Sequence, residues 1–172
     1  SIGSELCWQI LRRKPKVLLL LELNEFALYT LHNKLLDCLH HLTHEGFYSD
    51  DIEIAPSIIP LMGSVTDENR VSDIILTWQP DTIYHAAAVK HVPIVEQNVA
   101  ECVKTNVLGT MVMAKVAIER EVESFILIST DKAVNPTNAM GASKRCCEMI
   151  LQALSFESTL SFEHFSGGIG SA

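Results

Sequence analysis

The chain has few basic residues, no paired cysteine motif and no long apolar run. Its 172 residues include 13 Lys and Arg against 21 Asp and Glu, which gives a formal net charge of -8 at pH 7. This balance argues against nucleic acid or an anionic membrane as the main partner, because both attract positive surfaces. The strongly apolar run 17–21 is far shorter than the roughly 20 residues that a membrane helix needs. The sequence therefore predicts no nucleic-acid partner and no membrane span in this chain.

The cysteines and histidines make a metal site or a disulfide framework unexpected. The five cysteines are odd in number and form no Cys-x-x-Cys pair, which fits neither disulfides nor zinc. His40, His41 and His44 fall on one predicted helix without a third ligand at a suitable spacing, so a solvated helix face is expected there. No signal peptide is visible. A reducing cytoplasm is the expected location.

Composition and periodicity predict one α/β domain. With 48% hydrophobic residues, the chain is long enough for one globular core and too short for two ordinary domains. Helical patterns cover 3–13, a long segment before Gly46, 67–78, 94–120 and 139–157, and apolar runs at 16–23, 58–62, 82–85, 124–129 and 160–165 lie between or after them. This alternation predicts a Rossmann-like, doubly wound parallel sheet with helices on both faces. Because the chain opens directly in a helical pattern, the first strand of such a sheet is expected to be absent.

Ligands of such sheets bind where the strands point their carboxyl ends. Glu22 follows the first predicted strand, 19 residues after Gly3, a separation typical of the carboxylate that binds the adenosine ribose of a dinucleotide. An ordinary charged strand end is the alternative. Asp67 can cap its helix, and it can also face an adenine edge. Both positions are candidate cofactor contacts.

Three alanines follow the strand 82–85, in the sequence His85-Ala86-Ala87-Ala88-Val89-Lys90-His91. Small side chains at a strand end let a flat or phosphorylated ligand approach the backbone closely. The flanking His85, Lys90 and His91 strengthen this interpretation.

The most informative segment is Ser129-Thr130-Asp131-Lys132, followed by Met140-Gly141-Ala142-Ser143-Lys144. It is similar to the active-site segment of a short-chain reductase in which Met140 replaces the usual tyrosine. A thioether has no ionisable proton, so Met140 cannot deprotonate an alcohol during hydride transfer. Either the site is inactive or the acid/base work has moved, and Asp131 with Lys132 is the obvious destination.

These segments, together with 1–6, 63–67 and 105–110, resemble the CapD-type polysaccharide biosynthesis proteins. This family comprises nucleotide-sugar 4,6-dehydratases of the extended short-chain dehydrogenase/reductase superfamily. The segment 130–138 is close to diagnostic, and methionine at the position of Met140 is usual in the large, membrane-attached members. The resemblance implies NAD as cofactor and UDP-N-acetylglucosamine as substrate. It further implies a homo-oligomeric full-length parent on the cytoplasmic face of the inner membrane.

The resemblance also implies a role for each site residue. Thr130 would hydrogen-bond the C4 oxygen of the sugar, and Lys144 would hold the nicotinamide ribose. Neutral Lys132 would remove the C5 proton, and protonated Asp131 would donate to the departing C6 hydroxyl. A surface ion pair is the alternative for Asp131 and Lys132. The implied cofactor contacts are Ile2, Gly3, Ser4, Glu22, Asp67, Ala86, Ala87, Ala88, Lys90, Asn106 and Lys144, and the implied substrate contacts are Lys90, His91 and Asn135.

Two departures from the family pattern predict a fragment. The first strand and the opening glycines of the phosphate loop are absent, and His164 and Gly167 stand where arginine and asparagine are usual. The substrate-binding portion is therefore expected to be missing, and activity of this chain alone is doubtful. Glu22 favours NAD over NADP, because a carboxylate repels a 2′-phosphate. An epimerase on the same scaffold and a catalytically silent nucleotide-binding module remain alternatives.

Overall fold

A computed structural model of the chain describes residues 2–44 and 55–157. The chain divides into two compact units, Ser1–Ser64 (unit 1) and Val65–Ala172 (unit 2). Unit 1 contains α1 (Ile2–Leu11), β1 (Val17–Glu22), α2 (Glu25–His44) and β2 (Ser57–Met62). Unit 2 contains α3 (Glu68–Trp78), β3 (Thr82–His85), α4 (Val92–Gln97), α5 (Val99–Cys102), a π-helical segment (Val103–Leu108), α6 (Gly109–Glu119), β4 (Ser124–Leu127), a 3-10 turn (Asp131–Ala133) and α7 (Ala139–Glu157).

Unit 1 is built from a parallel strand pair covered by α2. Strands β1 and β2 pair in register from Val17 opposite Ser57 to Glu22 opposite Met62. Leu28, Leu35 and Leu42 recur every seven residues along α2, which places them on one helical face. That face packs with β1 and α1 in a buried core of Leu11, Leu18, Leu20, Leu28, Leu35, Leu42 and Ile58.

Unit 2 is built around a second parallel pair. Strands β3 and β4 pair from Thr82 opposite Ser124 to His85 opposite Leu127. The connecting helix α6 buries four apolar side chains, Met113, Ala114, Val116 and Ala117. The carboxyl ends of β3 and β4 meet at one edge of the pair, so the segments that follow them start side by side. This edge is where the sequence places most of its candidate site residues.

The two parallel pairs confirm the predicted fold class. The described sheets are the pairs β1-β2 and β3-β4, and within each pair helical segments connect the two strands. Parallel strands joined by helical crossovers are the repeating element of a Rossmann-like α/β fold.

The prediction of one continuous helix over 94–120 is wrong. Asn98 leaves helical geometry with φ -139° and ψ 48°, which separates α4 from α5. The segment Val103–Leu108 then widens to π-helical hydrogen bonding before α6 begins at Gly109. Asn98 marks the first interruption, since its Nδ2 donates a 2.9 Å hydrogen bond to the Ile94 carbonyl. Asn106 lies in the π-helical segment, and its side chain bonds to Val89 and Ser143.

The remaining described elements agree with the predictions to within a few residues. Asp67 caps α3 as expected, because its Oδ1 accepts a hydrogen bond of 3.0 Å from the backbone N–H of Arg70. The predicted strand 160–165, with His164 and Gly167, lies outside the described residues. Across residues 2–44 and 55–157, none of the helices combines the length and the apolar character required to cross a bilayer.

Candidate active site

The segment 130–132 forms a tight turn after β4. Thr130 caps the 3-10 turn Asp131–Ala133, and its hydroxyl donates a 2.9 Å hydrogen bond to Oδ1 of Asp131. The backbone N–H of Lys132 donates to the same carboxylate oxygen at 3.0 Å. Asp131 and Lys132 are both exposed, as side chains that act on a bound molecule must be. The structure therefore brings the three predicted catalytic residues of this segment together.

The environment of Asp131 favours its charged form. The pKa of its carboxyl is lowered chiefly by the hydrogen bond from Thr130, and also by the nearby charge and the backbone N–H of Lys132. In the free chain Asp131 is therefore a carboxylate at neutral pH. The predicted role as a proton donor requires a change of environment when substrate binds.

Ser129 does not face the same space as Thr130. Its hydroxyl donates a 2.6 Å hydrogen bond to Oε1 of Glu148 on α7, and the other oxygen of Glu148 accepts 2.9 Å from Arg145. The pKa of Glu148 is lowered, with the Ser129 hydrogen bond as the largest cause. This network fixes the end of β4 to α7. Glu148, one helical turn after Lys144, was not among the predicted residues.

The N-terminus of α7 is held by two side chains. Oδ1 of Asn138 accepts the N–H of Gly141 at 2.8 Å, and Oε1 of Glu96, on α4, accepts the N–H of Ala139 at 2.7 Å. Helix N-terminal N–H groups have no intrahelical partner, so such acceptors stabilise the first turn. Glu96 was not among the predicted residues, and no sequence pattern singled it out.

Met140, at the usual tyrosine position, is a packing residue. It is 4% exposed and lies in an apolar cluster with Val95 and Cys102. Its side chain therefore fills the core beneath the first turn of α7.

Lys144 lies on the same helix and is buried, with 5% exposure. Burial lowers the pKa of its amine, while Cys147 and Glu148 act in the opposite direction. Within the described residues, Nζ of Lys144 forms no hydrogen bond or ion pair. Because no buried side-chain nitrogen of the described residues lacks a hydrogen-bond partner, this Nζ reaches the surface, where it can hold polar oxygens of a ligand.

Asn106 is a structural residue rather than an exposed cofactor contact. It is 1% exposed. Its Oδ1 accepts the N–H of Val89 at 2.8 Å, while its Nδ2 donates to the Val89 carbonyl at 3.0 Å and to Oγ of Ser143 at 2.9 Å. Ser143 in turn donates to the Met140 carbonyl at 2.7 Å. Asn106 thus connects the π-helical segment to Val89, in the loop after β3, and to Ser143 on α7.

The alanine loop follows β3 at the same edge. Ala86, Ala87 and Ala88 are half-buried, whereas Lys90 and His91 are exposed. Three small, half-buried residues thus lie in one loop with an exposed cation and an exposed imidazole. Asn135 is also exposed, in the loop that follows the 3-10 turn.

His85 is buried beneath this loop. Its Nε2 lies 3.1 Å from Oγ1 of Thr110. The Thr110 hydroxyl donates its single hydrogen to the Asn106 carbonyl at 2.6 Å, so Nε2 of His85 carries the proton and donates to Thr110. Burial, with a smaller effect of the Lys144 charge, lowers the pKa of His85 to about 4. His85 is therefore neutral at physiological pH and does not face a ligand.

The other predicted cofactor contacts lie in unit 1, apart from Asp67. Ile2, Gly3 and Ser4 form the first turn of α1. Glu22 ends β1 and is exposed, and its Oε1 accepts the N–H of Asn24 at 2.9 Å. One carboxylate oxygen is committed to this turn, and the second has no protein partner among the described residues.

The described residues contain no group of three or more His, Cys, Asp or Glu side chains arranged to hold a metal ion. His40 and His44 lie one turn apart on α2, with their Nε2 atoms 3.1 Å apart.

The chemistry of the described donors fits a nicotinamide dinucleotide. Lys144 supplies an amine with free donor capacity on a largely buried side chain, and the half-buried alanines 86–88 lie in one loop with the exposed Lys90. Polar and cationic donors of this kind suit ribose hydroxyl and phosphate groups. The residues present are therefore compatible with the cofactor that the sequence predicted.

Comparison with known proteins extends these observations. The chain is 40% identical over 154 residues to the capsular polysaccharide biosynthesis protein CapD of Staphylococcus aureus, a match that covers 90% of this chain and 24% of that protein. It is 40% identical over 99 residues to a UDP-N-acetylglucosamine 4,6-dehydratase (inverting) of Campylobacter jejuni, a match that covers 58% of this chain and 29% of that protein. It is 38% identical over 104 residues to a UDP-glucose 4-epimerase of Rickettsia bellii, a match that covers 59% of this chain and 30% of that protein. The chain thus spans about a quarter to a third of these curated relatives.

Solved structures with the same fold include nucleotide-sugar enzymes. Pen from Bacillus thuringiensis superimposes with a TM-score of 0.71 at 29% identity, covering 93% of this chain and 44% of that one. The UDP-glucose 4-epimerase from Bifidobacterium longum, in complex with NAD⁺ and UDP, superimposes with a TM-score of 0.71 at 18% identity, covering 91% and 46%. At 18% identity, the similarity to the Bifidobacterium longum enzyme shows a shared fold alone.

The family comparison agrees with the local geometry. The polysaccharide biosynthesis protein family matches residues 1–167, a range that includes the 3-10 turn, the alanine loop and most of α7. This chain belongs to the polysaccharide biosynthesis protein family and carries part of its Rossmann-like domain.

Proposed function

We propose that this chain is the dinucleotide-binding part of an NAD-dependent nucleotide-sugar 4,6-dehydratase that acts on UDP-N-acetylglucosamine. The observation that carries the proposal is the exposed Thr130–Lys132 turn at the carboxyl end of the β3-β4 pair, with Lys144 buried on α7. The 40% identity to a UDP-N-acetylglucosamine 4,6-dehydratase supports the choice of reaction and substrate. Units 1 and 2 would both belong to one nucleotide-binding domain, and the substrate-binding portion would lie in the full-length protein.

When bound, NAD would supply hydride-acceptor chemistry at C4 and hydride-donor chemistry at C6 of the sugar, and the proton of the C4 hydroxyl would leave to solvent. The residues of this chain handle protons and orientation. Lys144 would donate hydrogen bonds to the nicotinamide ribose, Lys90 would face the phosphates, and the remaining contacts would come from the other predicted residues, with the exception of the buried Asn106. The second carboxylate oxygen of Glu22 is free to accept a hydrogen bond from a ribose hydroxyl. The negative charge of Glu22 favours NAD over NADP, because it repels a 2′-phosphate.

Asp131 and Lys132 would eliminate water once C4 is a ketone, because a ketone acidifies the neighbouring C5 hydrogen. The Lys132 amine takes the C5 proton while the C6–O bond breaks, and Asp131 protonates the departing hydroxyl to give water. Thr130 would hydrogen-bond the C4 oxygen. Since the free chain holds Asp131 as a carboxylate, both groups must become neutral when the sugar covers them. Desolvation favours this change. Transfer of one proton from the Lys132 ammonium to the Asp131 carboxylate neutralises both groups and leaves the net charge of the pair unchanged.

The test uses a full-length chimera in which this chain replaces the segment that it matches in the Staphylococcus aureus relative. With UDP-N-acetylglucosamine and NAD in deuterated water, the product should lose one water and carry deuterium at C5. Lys132→Ala should abolish deuterium entry at C5 and leave NAD binding intact. Lys115→Ala, on an exposed lysine paired with Glu68 at 2.7 Å, is the matched control and should retain turnover. Deuterium entry at the normal rate in Lys132→Ala would show that another group is the base.

A second comparison separates packing from cofactor contact. Met140→Leu keeps volume and apolar character, so its stability cost should stay below about 1.5 kcal/mol and turnover should persist. Lys144→Met removes the cation and should strongly weaken NAD binding. Equal losses of turnover in the two variants would mean that the thioether of Met140 has a chemical role.

The 38% identity to a UDP-glucose 4-epimerase favours one alternative. An epimerase would give a product of unchanged mass with inverted stereochemistry, so product mass distinguishes the two reactions. A catalytically silent nucleotide-binding module would bind NAD in calorimetry and give neither product in the chimera.

A further inference from the structure

We propose that Gly141 is a positioning residue for the Thr130–Lys132 turn. Its missing side chain lets the first turn of α7 pack against the backbone carbonyl of Lys132, and that contact sets the directions of the Asp131 and Lys132 side chains. The catalytic consequence rests on the proposed function, whereas the contact itself can be tested separately.

The space at Gly141 is closed by backbone. A Cβ added there would overlap the carbonyl oxygen of Lys132, and it would lie 3.2 Å from the Lys132 carbonyl carbon and 3.4 Å from Oδ1 of Asn138. A carbonyl in a hydrogen-bonded turn cannot rotate aside as a side chain can. Gly141 lies within α7, where alanine would raise the intrinsic helix propensity by about 1 kcal/mol. Glycine is therefore unfavourable for the helix, and the close contact accounts for its presence.

The turn depends on its backbone for orientation. Its two 3-10 hydrogen bonds, from Ala133 N–H to the Thr130 carbonyl and from Val134 N–H to the Asp131 carbonyl, are each 3.1 Å long. Ala133 is fully buried, but Asp131 and Lys132 are exposed. Because the Asp131 carboxylate is hydrogen-bonded within the turn, it moves with the backbone of the turn, which also sets the point from which the Lys132 side chain extends.

The first turn of α7 is less free to move than the 3-10 turn. Glu96 and Asn138 hold its N–H groups, and Met140 is buried against Val95 and Cys102. A methyl group at Gly141 would therefore displace the Lys132 carbonyl and the turn, rather than lift the helix.

Hydrogen exchange of this chain, followed by mass spectrometry, tests the contact. Gly141→Ala should speed exchange of peptides covering 130–135 by at least about tenfold, because local opening energies set exchange rates. The matched control is Gly109→Ala, at a buried glycine where an added Cβ would lie 2.7 Å from Cγ2 of Val65, a side-chain methyl in the same unit. Exchange at 130–135 should be unchanged in the control. Unchanged exchange there in Gly141→Ala, or loss of protection throughout unit 2, would overturn the proposal.

Kinetics of the full-length chimera test the catalytic consequence. Misaimed Asp131 and Lys132 slow chemistry more than they weaken binding, so kcat should fall at least about tenfold while KM for the sugar nucleotide changes less than about threefold. A rise in KM with unchanged kcat would contradict a positioning role. If the unsubstituted chimera has no dehydratase activity, the proposed function fails, but the exchange result still decides the contact.

Discussion

Replacing Asn106 with alanine should destabilise unit 2 by about 3–5 kcal/mol. The substitution removes three hydrogen bonds between 2.8 and 3.0 Å, two to the backbone of Val89 and one to Ser143. Each bond contributes about 1 kcal/mol net, and leaving the Val89 groups unpaired in a part-buried site adds up to about 2 kcal/mol. The lower end of the range applies if water reaches the cavity.

Urea unfolding, followed by circular dichroism, measures this cost. The matched control is Asn98→Ala, because the exposed Asn98 makes one hydrogen bond, of 2.9 Å, to the Ile94 carbonyl. That variant should lose less than about 1 kcal/mol. The difference of at least about 2 kcal/mol corresponds to a melting temperature lower by roughly 4–8 °C for a chain of this size.

The result that would refute the reasoning is a difference below about 0.5 kcal/mol between the two variants, which is the usual scatter of surface substitutions. It would mean that the alanine loop and α7 stay in place without the Asn106 side chain. Exchange of the Val89 amide provides a local check, since Asn106 accepts its hydrogen bond.

Two further predictions concern buried groups. The pKa of His85, lowered from 6.5 to about 4, makes the unfolded chain take up a proton first as the pH falls, so stability should decline by about 3 kcal/mol between pH 6.5 and 4. His85→Gln should flatten that part of a pH series of urea midpoints, whereas the exposed His41→Gln should not; parallel curves for both variants would contradict the assignment. Cys146 is exposed while Cys102 and Cys147 are buried, and burial raises the pKa of Cys147, so iodoacetamide should label Cys146 first in the native chain and all three in urea. Mass spectrometry of labelled peptides checks this order, and early labelling of Cys147 would show that α7 opens readily.

Residue patterns predicted the fold class well because burial imposes its own periodicity. The leucines of α2 and the strand 82–85 were recognisable from sequence alone, and Asp67 was identifiable as a cap from its position before a helical pattern. The break at Asn98 and the π-helical segment were not predicted. The side chain of Asn98 bonds locally to the Ile94 carbonyl, and that of Asn106 bonds to the distant Val89; a helical hydrophobic pattern encodes neither contact.

The candidate site was predicted in part. The sequence indicated which segments carry chemistry, and the structure brings Thr130, Asp131 and Lys132 into one turn. Asn106 was expected to contact the cofactor, yet the structure buries it among protein partners. Glu96 was missed, since an acceptor for another helix's N–H groups leaves no local pattern.

The π-helical segment Val103–Leu108 shifts the phase between α5 and α6. A π-helical turn accommodates one residue more than an α-helical turn, so residues beyond it face a direction rotated by roughly 100° from that of a regular helix. This rotation lets Cys102 and Asn106 face α7 while Met113 and Ala117 still reach the core of unit 2. Deleting one residue from the segment would restore the α-helical repeat. Either the contacts of Cys102 and Asn106 with α7 or the burial of Met113 and Ala117 would then be lost. The π-helical turn thus changes the helical phase, so that one continuous stretch of helix contacts both α7, which carries Lys144, and the core of unit 2.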